Sequence, residues 1–342
     1  MTFPHLTFFC ELESEPLEQL LTQEVLEELA ALHAGISLGI LDLSPRRAEV
    51  VRRLNQAGIP VTAWLLLPKD QGYWFNLDNA PQATARYAEF KAWTVENHLH
   101  WAGVGLDIEP DIRELELWGK DRRRLISILL RRLFNFKRLR TARSAYTRLI
   151  SEIHTDGYGV ESYQFPVIAD ERLTGSTLLQ RLAGLVDLPV DREVWMLYTS
   201  FLRPSGVGLL CSYGTEAQAI GLGSTGGGVD VGIMDARPLE WEELARDLRL
   251  AWYYNDQIYV FSLEGCVRQG FLPLLRNFQW DMPILMPDSV TQRVRAWRET
   301  LQTTLWVSAH ILHLLVAAAG LFLVIVGLRR RFKRAGSELI KR

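Results

Sequence analysis

Two rhythms of apolar and polar residues alternate along most of this chain. Short runs that are apolar almost throughout recur at Leu6-Thr-Phe-Phe-Cys-Glu11, Gly35-Ile-Ser-Leu-Gly-Ile-Leu41, Ile59–Leu67 and Gly103–Ile108. Between them lie segments with apolar residues three and four apart. In Pro16–His33, for example, Leu20, Leu21, Val25, Leu26 and Leu29 share one face. Pro45–Ala57 reads as a helix because Ser44 can cap it, Pro45 suits its first turn and Gly58 stops it. Pro81–His98 reads as the next helix. Continuous apolar strands separated by amphipathic helices predict a parallel sheet covered by helices.

The rhythm continues. A long basic helical segment spans 120–154, strands follow at Tyr158–Phe165, Glu193–Thr199 and Val229–Ile233, and a helix at Leu239–Trp252 precedes an eighth strand at Gln257–Leu263. The glycine-rich stretch Ser205–Gly228 reads either as a loop or as holding a short helix at Thr215–Gly221. Eight strand signals predict an α/β fold, a (β/α)8 TIM barrel over residues 1–300.

Beyond the barrel the pattern changes. Residues 305–328 are almost wholly apolar, and as a helix they would be about 36 Å long, against a hydrocarbon core of about 30 Å. Arg329, Arg330, Arg331, Lys333 and Arg334 follow in the tail 329–342. This predicts a single-pass transmembrane helix and a place in the cell membrane. The basic tail favours the cytoplasm, which puts the barrel outside, while Met1-Thr-Phe-Pro-His-Leu6 does not read as an export signal. The face on which the barrel sits therefore stays open.

Composition narrows the chemistry. With 342 residues, 48% of them hydrophobic, and a net charge of -2, the chain is an ordinary globular one and not a general nucleic-acid binder. Cys10, Cys211 and Cys266 have no metal-ligand spacing and predict no disulfide framework. The seven histidines form no ligand cluster, so no metal is expected. Gly221–Gly228 lacks the Lys-Ser/Thr partner of a phosphate loop, so no nucleotide cofactor is expected either. Arginines and lysines interleave with leucine, isoleucine and phenylalanine over 120–148. That segment reads equally as a surface for anionic lipid and as a barrel helix with a solvated outer face.

The candidate chemistry sits at the fourth strand. Asp107 and Glu109 are two residues apart, so they project to the same face, and Pro110 ends the pairing behind them. Gly103 and Gly105 leave room for something large beside them. In a barrel the catalytic groups gather at the C-terminal strand ends, which here carry Glu11, Asp42, Trp64, Asp107, Glu109, Gln164, Tyr198 and Glu264. Two neighbouring carboxyls repel, and repulsion raises one pKa. Glu109, longer and nearer the mouth, is the expected proton donor, with Asp107 orienting it and Glu264 available as a nucleophile across the pocket. Trp64, Tyr73 and Trp74 could stack on sugar faces, with Glu11, Asp42 and Gln164 lining the pocket.

Leu106-Asp107-Ile108-Glu109 resembles the end of the fourth-strand signature of chitinase-type glycoside hydrolases of family eighteen, and also the Asp-x-Glu of family twenty-five lysozymes. Trp195-Met-Leu-Tyr198 is similar to the sixth-strand Met-x-Tyr of the chitinase type. The Asp-x-Asp-x-Glu motif is degraded, because the two earlier acids fall on Ala102 and Gly105, and Glu264 sits near the place of the usual eighth-strand tryptophan. The resemblance implies a glycoside hydrolase acting on an N-acetylated or cell-envelope polysaccharide. Glu109 would be its acid, the substrate's own N-acetyl group its nucleophile, oriented by Asp107, and Tyr198 would stand near that group. The alternative is a catalytically inactive barrel that binds carbohydrate or scaffolds a membrane assembly.

Overall fold

The computed structural model describes residues 4–229 and 237–339; the side chains of 116, 118–120, 122, 312, 317–321 and 323–339 lie outside the described part. Eight strands close into a parallel barrel in chain order. They are β1 (His5–Cys10), β2 (Gly35–Ile40), β3 (Val61–Leu65), β4 (Gly103–Asp107), β5 (Val160–Gln164), β6 (Arg192–Met196), β7 (Ala219–Gly223) and β8 (Gln257–Phe261). β1 and β8 close the ring in the register Thr7↔Tyr259 and Phe9↔Phe261. The fold is a (β/α)8 TIM barrel.

The period of two decides what fills it. One set of alternate positions, among them Phe8, Ile36, Leu38, Leu65, Val104, Leu106, Ile220 and Val260, joins the core beneath the helices. The opposite set turns Phe9, Trp64, Tyr163, Val194, Ala219 and Tyr259 into the lumen. Rings from β1, β3, β5 and β8 meet there: Phe9 lies 4.8 Å from Tyr163 and 5.4 Å from Trp64, centroid to centroid. The rings fit because β4 offers Gly105 at the matching level. A Cβ there would overlap the Tyr163 hydroxyl and stand 2.8 Å from its Cε2. The close neighbour that Gly105 admits is therefore the protein's own tyrosine. Tyr163 cannot retreat, because it is fully buried and its hydroxyl bonds Ser37 at 2.5 Å. Gly105→Ala is expected to cost about 1–3 kcal/mol in denaturant unfolding, and adding Tyr163→Phe should recover part of the loss by removing the colliding oxygen.

The helices follow their strands. After β1 come α1 (Ser14–Leu20) and α2 (Gln23–Ala31), not the single helix expected over Pro16–His33. Thr22 breaks it by accepting the N–H of Val25 and capping α2. α3 (Pro45–Gln56) is capped by Ser44 with Pro45 in its first turn, as its sequence signals imply, and α4 (Ala80–Glu96) covers β3 and β4. After α5 (Ile112–Lys120), the basic segment expected over 120–154 forms two helices, α6 (Arg122–Arg132) and α7 (Phe136–Thr155), with Asn135 capping the second. α8 (Val167–Thr174) and α9 (Leu178–Ala183) precede β6, and α10 (Gly206–Tyr213) precedes β7. α11 (Trp241–Tyr254) leads to β8, with α12 (Leu263–Arg268) and α13 (Phe271–Arg276) after it.

The seventh strand is the main correction. It is Ala219–Gly223, where the sequence suggested a short helix or a loop; of the expected Val229–Ile233, residues 230–233 lie outside the described part. Ala-Ile-Gly-Leu-Gly hides its strand character because every inward position is small. A Cβ on Gly221 or Gly223 would come within 3.4 or 3.3 Å of the Tyr198 ring.

α14 (Asp288–Leu339) is one uninterrupted helix. Its first half packs on α8 and α10. Arg298, Gln302 and the buried Leu305 face the barrel, and Ser308 lies 3.2 Å from Ser176, so the packed part reaches into the expected span 305–328. Beyond it Trp306, Val307, Ile311, Leu314, Leu315, Val316 and Phe322 are exposed. Among the described residues no helix is long and apolar enough to cross a membrane. Much of 305–328 has its side chains outside them.

Candidate active site

The edge of β4 continues past its last strand residue. The Ile108 N–H donates to Tyr163 O at 3.0 Å, and the Glu109 N–H to Phe75 O at 3.2 Å. The alternation therefore survives through Glu109, and Asp107 and Glu109 both project into the mouth, close enough for the charge of Glu109 to act on Asp107. Trp64 Nε1 donates to Asp107 Oδ2 at 3.1 Å, while Oδ1 meets no N–H or O–H donor of the protein. Burial, then the charge of Glu11, push Glu109 up to about 8. Burial, then Glu109 and Glu11, raise Asp107 well above its usual range.

Glu11 stands beside the pair at the end of β1. Tyr73 donates its hydroxyl to Oε1 and the Val229 N–H reaches Oε2 at 3.3 Å, yet burial still lifts Glu11 to about 7. Tyr198 completes the group. Its ring stacks on Phe261 at 5.7 Å, and burial together with the charges of Asp107, Glu109 and Glu11 keeps its phenol protonated. The mouth of the barrel thus collects Glu11, Asp107, Glu109 and Tyr198, and burial holds each of them toward its protonated form.

Glu264 lies on the other side of Glu11, in the first turn of α12, whose N-terminus Ser262 caps by accepting the Gly265 N–H at 3.2 Å. Neither carboxyl oxygen has a well-formed hydrogen bond, although Ser262 and nearby backbone N–H groups approach closely enough to oppose part of the rise that burial causes. The loop after β7 seals it. Gly226, Gly227 and Gly228 all have positive φ, a Cβ on Gly227 would run into Glu264, and one on Gly228 would stand 2.9 Å from Glu11 Oε2. Glu264 therefore sits beneath a glycine roof and not on an open wall of the pocket.

The other expected pocket residues sort differently. Trp64 is only 3% exposed and Trp74 6%. Trp64 aims and desolvates Asp107 and offers no open sugar platform; Trp74 packs edge-on to Tyr73 at 5.3 Å. Asp42, expected to line the pocket, is engaged elsewhere. It takes hydrogen bonds from Ser14, the Ser44 N–H and Arg47, and the arginine and hydroxyls hold its carboxyl well below the usual range despite its burial. Gln164 is also corrected. One place along β5 from the lumen-facing Tyr163, it turns toward the helices, and its Nε2 donates to Ser162 at 2.6 Å. Sequence reasoning missed the Tyr73–Glu11 bond and the glycine roof. The run Ser224-Thr-Gly-Gly-Gly228 was the available signal, legible once read as a close-packing loop. Among the described residues no cluster of His, Cys, Asp and Glu is arranged to hold a metal.

The raised carboxyls set a pH dependence. Glu11 and Glu109 bind their protons more tightly folded than unfolded, where the ordinary value is 4.5. Their contribution is fully present below that value and is lost as pH rises through about 7 and 8. Thermal unfolding is expected at a higher temperature near pH 5 than near pH 9, each shifted unit counting for about 1.4 kcal/mol. Glu11→Gln should flatten the slope, as calorimetry across this window would show.

No known protein-family profile matches the chain, and no curated protein matches it. Among solved structures it is similar to a GH18 chitinase from Pseudoalteromonas aurantia, at 11% identity and a TM-score of 0.44 over 80% of this chain and 100% of that one. It is also similar to a D-psicose 3-epimerase from Clostridium cellulolyticum H10, at 12% identity and 0.41 over 88% and 99%. A mannanase catalytic domain from Streptomyces sp. SirexAA-E gives 12% and 0.35 over 76% and 74%. Such values go with a shared barrel and carry no argument about chemistry.

Proposed function

We propose that this chain is a glycoside hydrolase acting on an N-acetylated or cell-envelope polysaccharide. The observation that carries this reading is the pair Asp107–Glu109 at the C-terminal end of β4, with Asp107 buried, one of its oxygens unpaired, and Glu109 half-buried at the mouth beside it. Cleaving a glycosidic bond requires a carboxylic acid that is still protonated near neutrality, to protonate the leaving oxygen. Glu109, at about 8, is such an acid. Asp107, fixed by Trp64, is placed to take up the proton or to orient an acetamido group, with the neutral Tyr198 phenol as a further donor. Glu11 is a further carboxyl whose charge acts on both.

The apolar run 305–328, its basic tail and the exposed apolar side chains from Trp306 onward support a membrane anchor. Resistance of the full chain to alkaline extraction from membranes tests that part. Near-complete burial of Trp64 and Trp74 leaves neither as a stacking platform for a sugar ring and favours a second reading, a catalytically inactive barrel that binds carbohydrate by other groups or scaffolds a membrane assembly. Incubating the full chain with chitin oligosaccharides and peptidoglycan fragments separates the two. New reducing ends support the hydrolase. Saturable binding with no new ends across the panel supports the silent barrel.

A further inference from the structure

We infer that α6 rests on an anionic bilayer surface beside α14, an inference that shares with the proposed function the reading of 305–328 as an anchor. On α6 and just beyond it, Ile126, Leu130 and Phe134 fall at every fourth position and are 55%, 64% and 77% exposed. Residues so spaced form one ridge along a helix. The opposite side is already used. Leu125 is buried, and Arg132 turns inward to Glu114, Asp78 and the Leu182 carbonyl. The exposed ridge is thus a second apolar face, on a helix whose first is occupied by the barrel. A helix facing water would place polar residues there.

Charge and position together choose the occupant. Arg123, Arg124, Arg131 and Lys137 are exposed around the ridge. Apolar side chains bordered by cations match the boundary between acyl chains and anionic headgroups. A second copy packed symmetrically on this ridge would bring the same arginines against each other. α6 itself also lies near the flank where α14 departs. α9 touches both α6 and α14, with Arg132 bonding Leu182 on one side and Ser308 meeting Ser176 on the other. An anchor emerging there would hold α6 against the lipid. α5 and α6 belong to the connection that follows Glu109, so this docking sets the rim of the mouth beside the headgroups and favours glycans carried at the membrane surface.

The test uses the full chain reconstituted into vesicles of phosphatidylcholine, with and without phosphatidylglycerol, containing lipids with a nitroxide at headgroup depth. The native cysteines are all buried, so single reporters go on by Leu130→Cys, by Leu315→Cys in the anchor and by Glu24→Cys on α2, at the opposite side of the barrel. The 130 reporter should lose most of its fluorescence, more so with phosphatidylglycerol, and the 24 reporter should lose little. Arg124→Gln with Arg131→Gln should remove the extra loss that phosphatidylglycerol causes. Quenching at 315 but none at 130 beyond that at 24 overturns the α6 surface and leaves the anchor standing. No quenching at 315 or 130 sinks the anchor and this inference together. A 130 reporter shielded from aqueous iodide in detergent, at the mass of a dimer, assigns the ridge to a second copy and overturns the lipid reading.

Discussion

Glu109→Gln should lower glycan turnover by about 10²–10⁴-fold, the usual contribution of a positioned acid, while the barrel stays folded. The amide keeps the size of the side chain and can still bond Asp107, but it has no proton to give to a leaving oxygen. It also removes the carboxyl whose charge raises the pKa of Asp107. The variant should therefore unfold at the same temperature as the parent or higher, which separates lost chemistry from lost structure. In the parent, kcat/KM should fall as pH rises through about 8, where Glu109 gives up its proton. Initial rates on an aryl glycoside whose leaving group needs no protonation give a sharper readout. They should recover much of the activity in the variant if the acid role is right, and none if Glu109 merely shapes the mouth.

Asp170→Ala should cost about 3–5 kcal/mol, the typical penalty for breaking a buried pair by removing one partner. Asp170 is fully buried, on α8. Its Oδ1 accepts from Arg298 Nε and from Gln302 Nε2, both at 2.7 Å, and its Oδ2 accepts from the Tyr213 hydroxyl. Arg298, stacked on the Tyr213 ring, also bonds Glu216 and the Ser212 carbonyl. One carboxylate thus ties α8, α10 and α14 together. Without it the arginine keeps the Ser212 carbonyl but, as countercharge, only the half-exposed Glu216 at the edge of the site. Urea denaturation measures the loss. Asp170→Asn should fall between the two, because one oxygen still accepts, and a variant as stable as the parent would show that this junction does not bind α14.

The barrel was legible because its outward strand positions are almost uniformly apolar and its helices carry conventional stops and caps. Ser44-Pro45 and the Gly103–Ile108 run gave elements within a residue or two of the observed ones. What escaped was decided by shape in three dimensions. β7 is disguised because its inward residues are small, Gly223 against the Phe261 carbonyl, where a Cβ would stand 2.9 Å away, and Gly221 beside the Tyr198 ring. Asp107 and Glu109 were legible as a pair, since a strand fixes their common face. The fate of Asp42 was not, because Arg47, which captures it, reads in sequence only as one more charge on a helix. Gln164 failed on parity: one place along β5 separates the lumen from the helix layer, and boundaries drawn from an apolar run do not settle that single step. Glu264 was found as a residue, but its glycine cover was read only as a missing phosphate loop.

α14 passes from its seat on the barrel into the apolar run with no break in the helix. If 305–328 is the anchor proposed above, this continuity matters, because a protein hung from a bilayer on a disordered tether sweeps a wide volume and meets whatever drifts through it. One held on a rigid stalk keeps a constant height and pose. At about 1.5 Å of rise per residue, a few turns inserted below the barrel would raise the mouth by a calculable step. For the proposed hydrolase the lengths of glycan within reach would change with each step, making stalk length a handle on selectivity that leaves every residue of the mouth untouched.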